Sequence, residues 1–541
     1  MKYEDIKMEQ IYYNGRIYTM KGEQEVQALY IKDGLIHDIG SDEYILKTYP
    51  NVDKTDLNKQ CVIPGINDSH MHLISPVSIE LFDARSINDV VEMTNLQVSP
   101  DLEDNEWIVG RGYNHDYFDV KEMPKKEDLD KISTTHPVCL IRACGHIGAV
   151  NSKALEMLNV TKDSQPHIDG GFFNTDENGE PNGIVTEFAL DYVKSFFNKP
   201  SVNRIKETIV NKTNRLLSEG ITSIQTDDFM SFTNVDFTEI IQAYEELVKE
   251  NNLNVRIYQQ SQLPELETLQ RFLDLGYKTG YGDDFFRIGP LKLLLDGALG
   301  ARTAWMSKPY ADEPTTKGMA TYDMPVFNQL IETGHNGGMQ IAVHAIGDQS
   351  IKQVTQSYID VQNKNMRNDA RHGIVHVQIS ELSDIERMAN HRILAYIQPI
   401  FVHYDQHIAD DRVGKQLAST SYAWKTMRDL GVVAPFGTDS PVEPTNPYNC
   451  MYCAITRKDL SGTQDKGWNE QECVSRWEAL DSYTSVSAFA SFDENKKGKL
   501  LPGMFADFVV LSDNYFEIDV EKIKDLTAVT TVVNGQVKYQ K

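Results

Sequence analysis

The feature that most constrains the fold is an alternation of helical and strand patterns between residues 200 and 440. Amphipathic stretches predict helices at 204–219, 236–250, 264–275, 325–337, 348–363, 380–390 and 421–430. Short β-branched runs predict strands at 221–225, 255–259, 286–295, 340–344, 373–377, 393–398 and 432–438, and the run 62–72 supplies an eighth. Such alternation implies parallel strands with right-handed crossovers, so we expect a closed (β/α)8, TIM-like barrel. A doubly wound open sheet is the alternative, but no GxGxxG follows an early strand.

The two ends of the chain carry strand patterns of another kind. Residues 9–60 contain hairpin signals at Asn14-Gly15 and at 32–34, and the C-terminal strands turn at Asn534-Gly535. Neither end can bury a sheet face alone, so we expect them to pair. We therefore predict a discontinuous β-sandwich domain from residues 1–61 and 497–541, and a barrel domain from 62–496. Residues 84–205 lack regular alternation and are predicted to be an α+β insertion near the active-site mouth.

Charge and composition narrow the range of partners. The formal net charge of −26 argues against a nucleic acid or an anionic membrane, because both attract a cationic surface. No apolar run is long enough to span a bilayer, and the first ten residues, MKYEDIKMEQ, lack the apolar core of a signal peptide. We expect a cytoplasmic protein. The β-domain and the insertion are candidate surfaces for a homodimer.

Residues of the types that bind metals recur where the predicted strands end. His70 and His72 end the first strand, and residues i and i+2 of a strand point to the same side. The others are Lys292 in the fourth strand, His344 in the fifth, His376 in the sixth and Asp439 after the eighth. Each alone has an ordinary structural explanation, but barrel enzymes build their active sites at these strand ends. Asp227-Asp228 after the second strand either support such a site or cap a helix.

Several of these segments form longer motifs. The chain contains PGINDSHMH, RACGHIGAVNSKAL, GITSIQTDD, LKLLLDGALGARTA, VHAIGD, IVHVQ, GTDSPVEP and LLPGMFADFVVL. Together they resemble the amidohydrolase superfamily, and most closely its YtcJ-like branch, the amidohydrolase-3 family of metal-dependent hydrolases. The resemblance covers nearly the whole chain. It implies that the metal-site residues are His70, His72, His344, His376 and Asp439, with Lys292 at the position of a lysine that can be carboxylated to bridge two metals.

The chemistry of these residue types agrees with that expectation. A buried lysine beside cations favours its neutral amine, which can add carbon dioxide to give an anionic, bridging carbamate. The unmodified alternative is a lysine whose amine pairs with Asp296 or Asp439. Histidine and carboxylate ligands suit zinc, iron, manganese or nickel, with zinc as the default and one or two ions per site.

The resemblance implies an amidohydrolase that cleaves a C–N bond of a small amide, formamide or cyclic amide. We expect metal-activated water to attack, Asp439 to act as general base and then general acid, and His376 or His344 to stabilise the oxyanion. Arg302 in the GALGART loop and His146 in the insertion are candidates for substrate binding. The alternatives are a metal-dependent esterase, phosphoesterase or decarboxylase on the same site, or a barrel that only binds.

Overall fold

The computed structural model describes residues 9–541 except 76–78, 99–101, 103, 144, 146, 169 and 233. In chain order the strands are β1 Glu9–Tyr13, β2 Arg16–Tyr18, β3 Glu25–Val26, β4 Ala28–Lys32, β5 Leu35–Gly40, β6 Asp53–Asp56, β7 Cys61–Pro64, β8 Ile66–Met71, β9 Ile79–Glu80, β10 Ile108–Tyr113, β11 Val138–Arg142, β12 Ile147–Val150, β13 Gly171–Thr175, β14 Pro181–Glu187, β15 Ile221–Thr226, β16 Arg256–Gln262, β17 Phe286–Leu294, β18 Ile341–Ala345, β19 Gly373–His376, β20 Leu394–Tyr396, β21 Phe508–Leu511, β22 Ala528–Val533 and β23 Gln536–Gln540.

The α-helices are α1 Asp42–Thr48, α2 Ile87–Gln97, α3 Lys126–Leu129, α4 Ser152–Met157, α5 Phe188–Lys194, α6 Val202–Ser218, α7 Phe237–Lys249, α8 Leu266–Asp274, α9 Met324–Asn336, α10 Asp348–Lys364, α11 Leu382–Asn390, α12 Val402–Asp405, α13 Ala409–Val413, α14 Lys415–Ala418, α15 Trp424–Asp429, α16 Pro447–Thr456, α17 Arg476–Tyr483 and α18 Ser485–Ala490. The amphipathic segments predicted between residues 204 and 430 each overlap one of these helices, α6 to α11 or α15.

Seven parallel strands form the barrel sheet, in the order β20-β19-β18-β17-β16-β15-β8. Their side chains are almost entirely buried, as expected for strands covered by helices on one side and by the barrel interior on the other. The TIM-like barrel predicted from the alternation of helices and strands is therefore confirmed.

The eighth barrel position differs from the prediction of a regular strand. Residues 432–438, all of which are described, form no named strand. They close the barrel through backbone hydrogen bonds on each side and an isolated parallel bridge between Ile397 and Phe436. On one side Ala395 N–H donates to Val433 O at 3.0 Å, and on the other Ser69 N–H donates to Phe436 O at 2.9 Å. Gly437 permits this approach, because a Cβ there would lie 2.6 Å from the backbone nitrogen of His70.

The predicted first strand, 62–72, divides between two sheets. β7 pairs with β2 and β21 outside the barrel, whereas β8 pairs with β15 inside it. Gly65 lies at the division, where a Cβ would come within 2.0 Å of Thr222 Oγ1. The Pro64-Gly65 kink is therefore the point at which the chain leaves one sheet and enters the next.

Strands from both ends of the chain form a separate pair of sheets, as predicted. One sheet has the order β5-β4-β1-β6, and the other, β23-β22-β21-β7-β2-β3, joins N-terminal and C-terminal strands. Apolar side chains from both sheets form one buried cluster that includes Tyr12, Leu29, Val62, Phe508 and Val532. The Tyr12 and Phe508 rings meet edge to face with centroids 5.0 Å apart. The fold class is thus a barrel with a β-sandwich built from both termini.

The chain divides into two compact units. One contains residues through Leu73 together with 204–229 and 237–541, and the other contains 74–203 and 230–236. The second unit has a mixed sheet of order β13-β14-β12-β11-β10-β9 with its own apolar clusters, which agrees with an α+β insertion. The predicted limits at residues 61, 84, 205 and 497, and the predicted place of the insertion near the active-site mouth, stay predictions. Within the described residues, every helix is too short or too polar to cross a bilayer.

Candidate metal centre

The predicted metal-site residues come together at the C-terminal ends of the barrel strands. β8, β17, β18 and β19 carry His70, Lys292, His344 and His376, while His72 follows β8 and Asp439 lies in the closing segment. All six side chains line one cavity of about 380 Å³. The six residues that the sequence placed at successive strand ends therefore lie together in space.

His70, His72 and Asp439 form the tightest group of potential ligands. Asp439 Oδ1 lies 3.1 Å from His72 Nε2 and 3.3 Å from His70 Nε2. One donor atom of each residue lies within 4.8 Å of the other two. The backbone contributes to this closeness, since Asp439 N–H donates to His70 O at 2.8 Å and His72 N–H donates to Ser440 O at 2.7 Å.

Buried glutamines orient two of the histidines. The Nδ1 atom of His70 lies 2.7 Å from Gln260 Oε1, and Nδ1 of His376 lies 2.7 Å from Gln398 Oε1. Each glutamine is oriented in turn, because its amide nitrogen donates to a backbone carbonyl, that of Ser69 or Tyr396. An amide oxygen only accepts, so Nδ1 of each histidine carries the proton and Nε2 presents its lone pair.

Burial and neighbouring charges determine the protonation states in the group. Burial and then the charge of Lys292 lower the pKa of His70 to about 4, and burial with the adjacent His344 lowers the pKa of His376 well below its usual value. Burial would raise the pKa of Asp439, but the imidazoles of His70 and His72 hold it well below its usual range. Burial would lower the pKa of His72, but the Asp439 carboxylate raises it. Neutral imidazoles and an ionised carboxylate are the forms that bind metal ions, so an ion would take the place of a proton on His72.

Lys292 contacts Asp227, which the sequence indicated either as a support of the site or as a helix cap. Its Nζ lies 3.4 Å from Asp227 Oδ2 and 3.4 Å from His70 Nε2, and both Lys292 and Asp227 are buried. The alternative of a pair with Asp296 or Asp439 was therefore wrong. Asp227 follows β15 and its N–H donates to Met71 O at 2.9 Å, which brings its carboxylate to the Lys292 side of the cavity.

Asp296 is engaged at the opposite side of the site. Its carboxylate accepts hydrogen bonds from the N–H groups of Trp305, Ile346 and Gly347. His344 Nε2 lies 3.4 Å from Asp296 Oδ1 and 3.0 Å from Gly297 O, while the His344 ring meets that of His376 with centroids 4.5 Å apart. The loop after β17 thus holds His344 by its Nε2 atom.

The backbone is strained at two of these positions. His376 has φ of 84° and Asp439 has φ of 56°, values that residues other than glycine rarely adopt. Such strain persists where the surrounding structure requires it, and it concentrates at functional sites.

The cluster fits a divalent ion. Separations of 3.1 and 3.3 Å between donor atoms match two ligands that each lie about 2.1 Å from one ion. Asp439 Oδ1 is buried, and among the described residues it accepts no hydrogen bond of good geometry. A carboxylate oxygen in this position needs a positive partner, and a metal ion would supply it.

The two predicted substrate-binding residues stay predictions. Arg302 pairs with Asp312 through Nε at 3.1 Å and Nη2 at 2.9 Å, and it is not among the described residues that line the cavity. His146, like Cys144, lies outside the described residues.

Four further residues of the site were not identified from the sequence: Gln260 and Gln398 orient histidines, and Asp405 and Glu443 line the cavity. Asp227, for which a supporting role and a helix cap were both open, pairs with Lys292. The only signal for Asp227 was its place after a predicted strand. Glutamines near strand ends are common and carry no such signal.

Comparison with known proteins agrees with this geometry. The model of the amidohydrolase family matches residues 54–539. The chain is 33% identical over 540 residues to the Bacillus subtilis (strain 168) protein named "Putative amidohydrolase YtcJ", covering 99% of this chain and 100% of that protein. It is 22% identical over 533 residues to an N-substituted formamide deformylase of Arthrobacter pascens, with 95% of each chain covered.

A solved structure extends the likeness to three dimensions. The crystal structure of an uncharacterized metal-dependent hydrolase from Pyrococcus furiosus matches with a TM-score of 0.76 at 28% identity, covering 94% of this chain and 100% of that one. The family match, the full-length likeness and the buried group of donor atoms together assign the chain to the amidohydrolase family, as a metal-dependent hydrolase.

Proposed function

We propose that the protein hydrolyses a C–N bond of a small amide, formamide or cyclic amide. The observation that carries the proposal is the buried group of His70, His72 and Asp439 at the C-terminal end of the barrel, open to a cavity of about 380 Å³. The relative named N-substituted formamide deformylase supports this bond type.

The residues that would hold one or two divalent ions are His70, His72, Lys292, His344, His376 and Asp439, of which His70, His72 and Asp439 form the tightest group. When bound there, such an ion lowers the pKa of water and polarises a carbonyl group. Zinc is the default occupant. Carboxylation of Lys292 would provide the bridge for a second ion, and metal content measured with and without dissolved carbon dioxide tests that step.

Asp439 is the residue that moves the proton. Its Oδ1 atom lies beside His70 and His72, where an ion would bind, so the second oxygen of the carboxylate would accept a proton from attacking water. The same oxygen then delivers the proton to the leaving nitrogen, which must be protonated before it departs as an amine.

The two histidines proposed for the oxyanion differ in what they can donate. His376 donates its Nδ1–H to Gln398 and stays neutral, so its Nε2 lone pair suits a ligand better than a hydrogen-bond donor. His344 is the better candidate for the oxyanion, since its Nε2 already lies at donor distance from Gly297 O. Its proton would shift from that carbonyl to the developing charge.

The variant Asp439→Asn tests the proton transfer. We expect kcat on a responsive formamide or amide to fall at least about 100-fold, because the amide side chain cannot accept the proton. Metal content, measured on the same sample, should be retained. Asp525→Asn, an exposed matched change, should leave both quantities unaltered.

Persistent turnover in Asp439→Asn would contradict the assignment. A matched amide and ester substrate pair separates the proposed reaction from an esterase on the same site. If the protein binds none of the transition metals that are supplied to it and hydrolyses neither substrate, the barrel is a binding module rather than an enzyme. Cytoplasmic location and a homodimer are further proposals, and light scattering of the purified protein tests the second.

A further inference from the structure

The cavity at the metal centre is also lined by two carboxylates that the proposed reaction does not use. Asp405 lies at the end of α12, and Glu443 lies four residues beyond Asp439 in the segment that follows the barrel closure. Neither is one of the donor atoms grouped around His70 and His72.

Glu443 lacks a positive partner. In the described parts of the chain no hydrogen bond or ion pair connects its carboxyl group to another residue, and the charged groups that act on it are Asp405 and Asp439. Burial and these two carboxylates raise the pKa of Glu443 to about 8. A partly buried carboxyl group in such surroundings is stabilised in its charged form only when a cation arrives from outside.

Asp405 differs from Glu443 because hydrogen bonds from neighbouring side chains fix the orientation of its carboxyl group. Its Oδ2 atom accepts a hydrogen bond of 2.7 Å from the Tyr422 hydroxyl and a longer one of 3.5 Å from Gln378 Nε2. Burial raises the pKa of Asp405 to about 6. The two carboxyl groups therefore line one region of the cavity in which no described cationic side chain pairs with either, so a cation that enters can stabilise their charged forms.

The nearby cations are already paired. Lys292 is the one cationic side chain among the described cavity-lining residues, and it contacts Asp227. Arg302 and Arg412 both bind Asp312. None of these groups is available to neutralise Glu443.

The remaining walls suit the organic part of a cation. Phe401 and Tyr404 present aromatic rings to the cavity, and Leu299, Ile346 and Val442 present aliphatic groups. Aromatic faces attract ammonium groups, and carboxylates beside them provide charge-assisted contacts.

We infer that Glu443, supported by Asp405, is a specificity-determining residue that selects substrates carrying an ammonium group on the organic part of the molecule. The inference rests on the proposed hydrolysis for its place in a reaction. The recognition itself depends only on the cavity, so the two can be tested separately.

Turnover of a matched substrate pair tests the selectivity. N-(4-aminobutyl)formamide and N-pentylformamide have the same length, and only the first carries an ammonium group. On metal-loaded protein we expect kcat/KM to favour the cationic substrate at least about tenfold, and Glu443→Gln to lower that ratio by at least about tenfold. Glu386→Gln, a matched change at an exposed position of α11, should leave the ratio unchanged.

Equilibrium binding provides a test that does not require turnover. Choline and its neutral carbon isostere 3,3-dimethylbutan-1-ol are suitable probes, because the quaternary nitrogen has no lone pair for a metal ion. Calorimetry on metal-loaded protein should show tighter binding of choline, and Glu443→Gln should remove the difference. Asp405→Asn, which keeps an oxygen for the Tyr422 hydroxyl, should reduce the difference in affinity between the two probes.

The outcomes separate the two hypotheses. A preference for choline without hydrolysis of either formamide would support the inference and overturn the proposed function for that acyl group. Hydrolysis with equal preference for the cationic and neutral compounds, or a preference that persists in Glu443→Gln, would overturn the inference.

Discussion

Each histidine of the metal centre depends on a residue that holds the far side of its ring. Gln260 accepts a hydrogen bond from the Nδ1–H group of His70, and Gln398 accepts one from that of His376. Each contact directs the Nε2 atom of the ring toward the cavity. His72 is held instead by a backbone oxygen, that of Asp227, 3.0 Å from its Nδ1. Such contacts select one tautomer and one ring orientation before any ligand binds.

Replacement of Gln260 by Leu should weaken metal binding. We expect the zinc affinity to fall about 10- to 100-fold, because the His70 ring loses its tautomer and its orientation. Competition with a chromophoric chelator measures the affinity. Gln259→Leu is the matched control, since Gln259 is equally buried on the same strand but its amide oxygen contacts no histidine among the described residues. Equal affinities in both variants and the parent would contradict this role.

A second pair of buried histidines lies away from the metal centre. His372 Nδ1 accepts from Ile341 N–H at 3.0 Å, and its Nε2 lies 2.9 Å from His335 Nδ1, whose ring then contacts Asn365 O through Nε2 at 2.6 Å. The chain of contacts is complete with two neutral rings, one proton on each. Burial lowers the pKa of both histidines.

This pair should make the protein less stable in mild acid. A histidine whose pKa is lowered by folding stays neutral in the native state, so below pH 6.5 the unfolded chain binds protons that the folded chain does not. Stability is then fully present above pH 6.5 and is lost as the pH falls. The double variant His335→Gln, His372→Gln should reduce the slope of unfolding free energy against pH by up to about 2.7 kcal/mol per pH unit.

Urea unfolding at several pH values between 5 and 7 measures that slope. His391→Gln, at an exposed position, is the control and should leave the slope unchanged. An identical slope in the double variant would show that the pair does not take up protons on unfolding.

Among the elements of the barrel, the closing segment 432–440 has the least regular structure and carries Asp439. It contacts both neighbouring strand segments through backbone hydrogen bonds and one isolated bridge, Ile397 to Phe436, but forms no named strand. Thr438 anchors it, since its hydroxyl donates to Asp68 Oδ2 at 2.7 Å, and the other oxygen of Asp68 accepts from His70 N–H at 3.0 Å. Asp68 therefore couples the position of this segment to that of His70.

Gly437→Ala should disrupt this element and the site together. The added Cβ would lie 2.6 Å from His70 N and 2.9 Å from Asp68 Oδ1, and backbone atoms cannot move aside. We expect a lower melting temperature and weaker metal binding, because the segment must separate from β8 and take Asp439 with it. At Gly300 the nearest described atom to a new Cβ is 3.8 Å away, so Gly300→Ala should change neither quantity. Unchanged metal affinity in Gly437→Ala would contradict the coupling.

On the scale of the whole molecule, a buried ion pair connects the barrel to the terminal sandwich. Arg256 at the start of β16 donates to both oxygens of Asp507, at 2.6 and 3.0 Å, and its guanidinium lies 3.7 Å from the centre of the Phe505 ring. Asp507 also accepts from Asn534 N–H at 2.8 Å, which fixes the last hairpin. Residues from the middle and the end of the chain thus share one buried contact.

Asp507→Ala should destabilise the protein by about 3–5 kcal/mol, because it leaves the Arg256 guanidinium buried without a counter-charge. The midpoint of urea unfolding measures the effect. Adding Arg256→Met to this variant should recover part of the loss, since the unpaired charge is then removed. If the double variant loses more unfolding free energy than the two single variants lose together, the buried charge is not the cause.

The parts of the fold that local patterns encode were predictable. The helices from α6 to α11, the barrel strands and the pairing of the two termini follow from apolar periodicity and turn residues. The eighth strand was not, because residues 432–438 have the composition of a strand but form only an isolated bridge and separate backbone hydrogen bonds in the structure. The division of 62–72 between two sheets likewise depends on Thr222, which is remote in sequence.

The sequence by itself determined the alternation of elements, the types of the ligand residues and their places at strand ends, because each depends on a few consecutive residues. Only the tertiary structure decided which donor atoms meet, since these meetings join distant parts of the chain. His70 and Gln260 are 190 residues apart, and their hydrogen bond exists only after the barrel forms. Likewise Glu443 carries an ordinary side chain, and it is the cavity formed around it that leaves its carboxyl group without a positive partner.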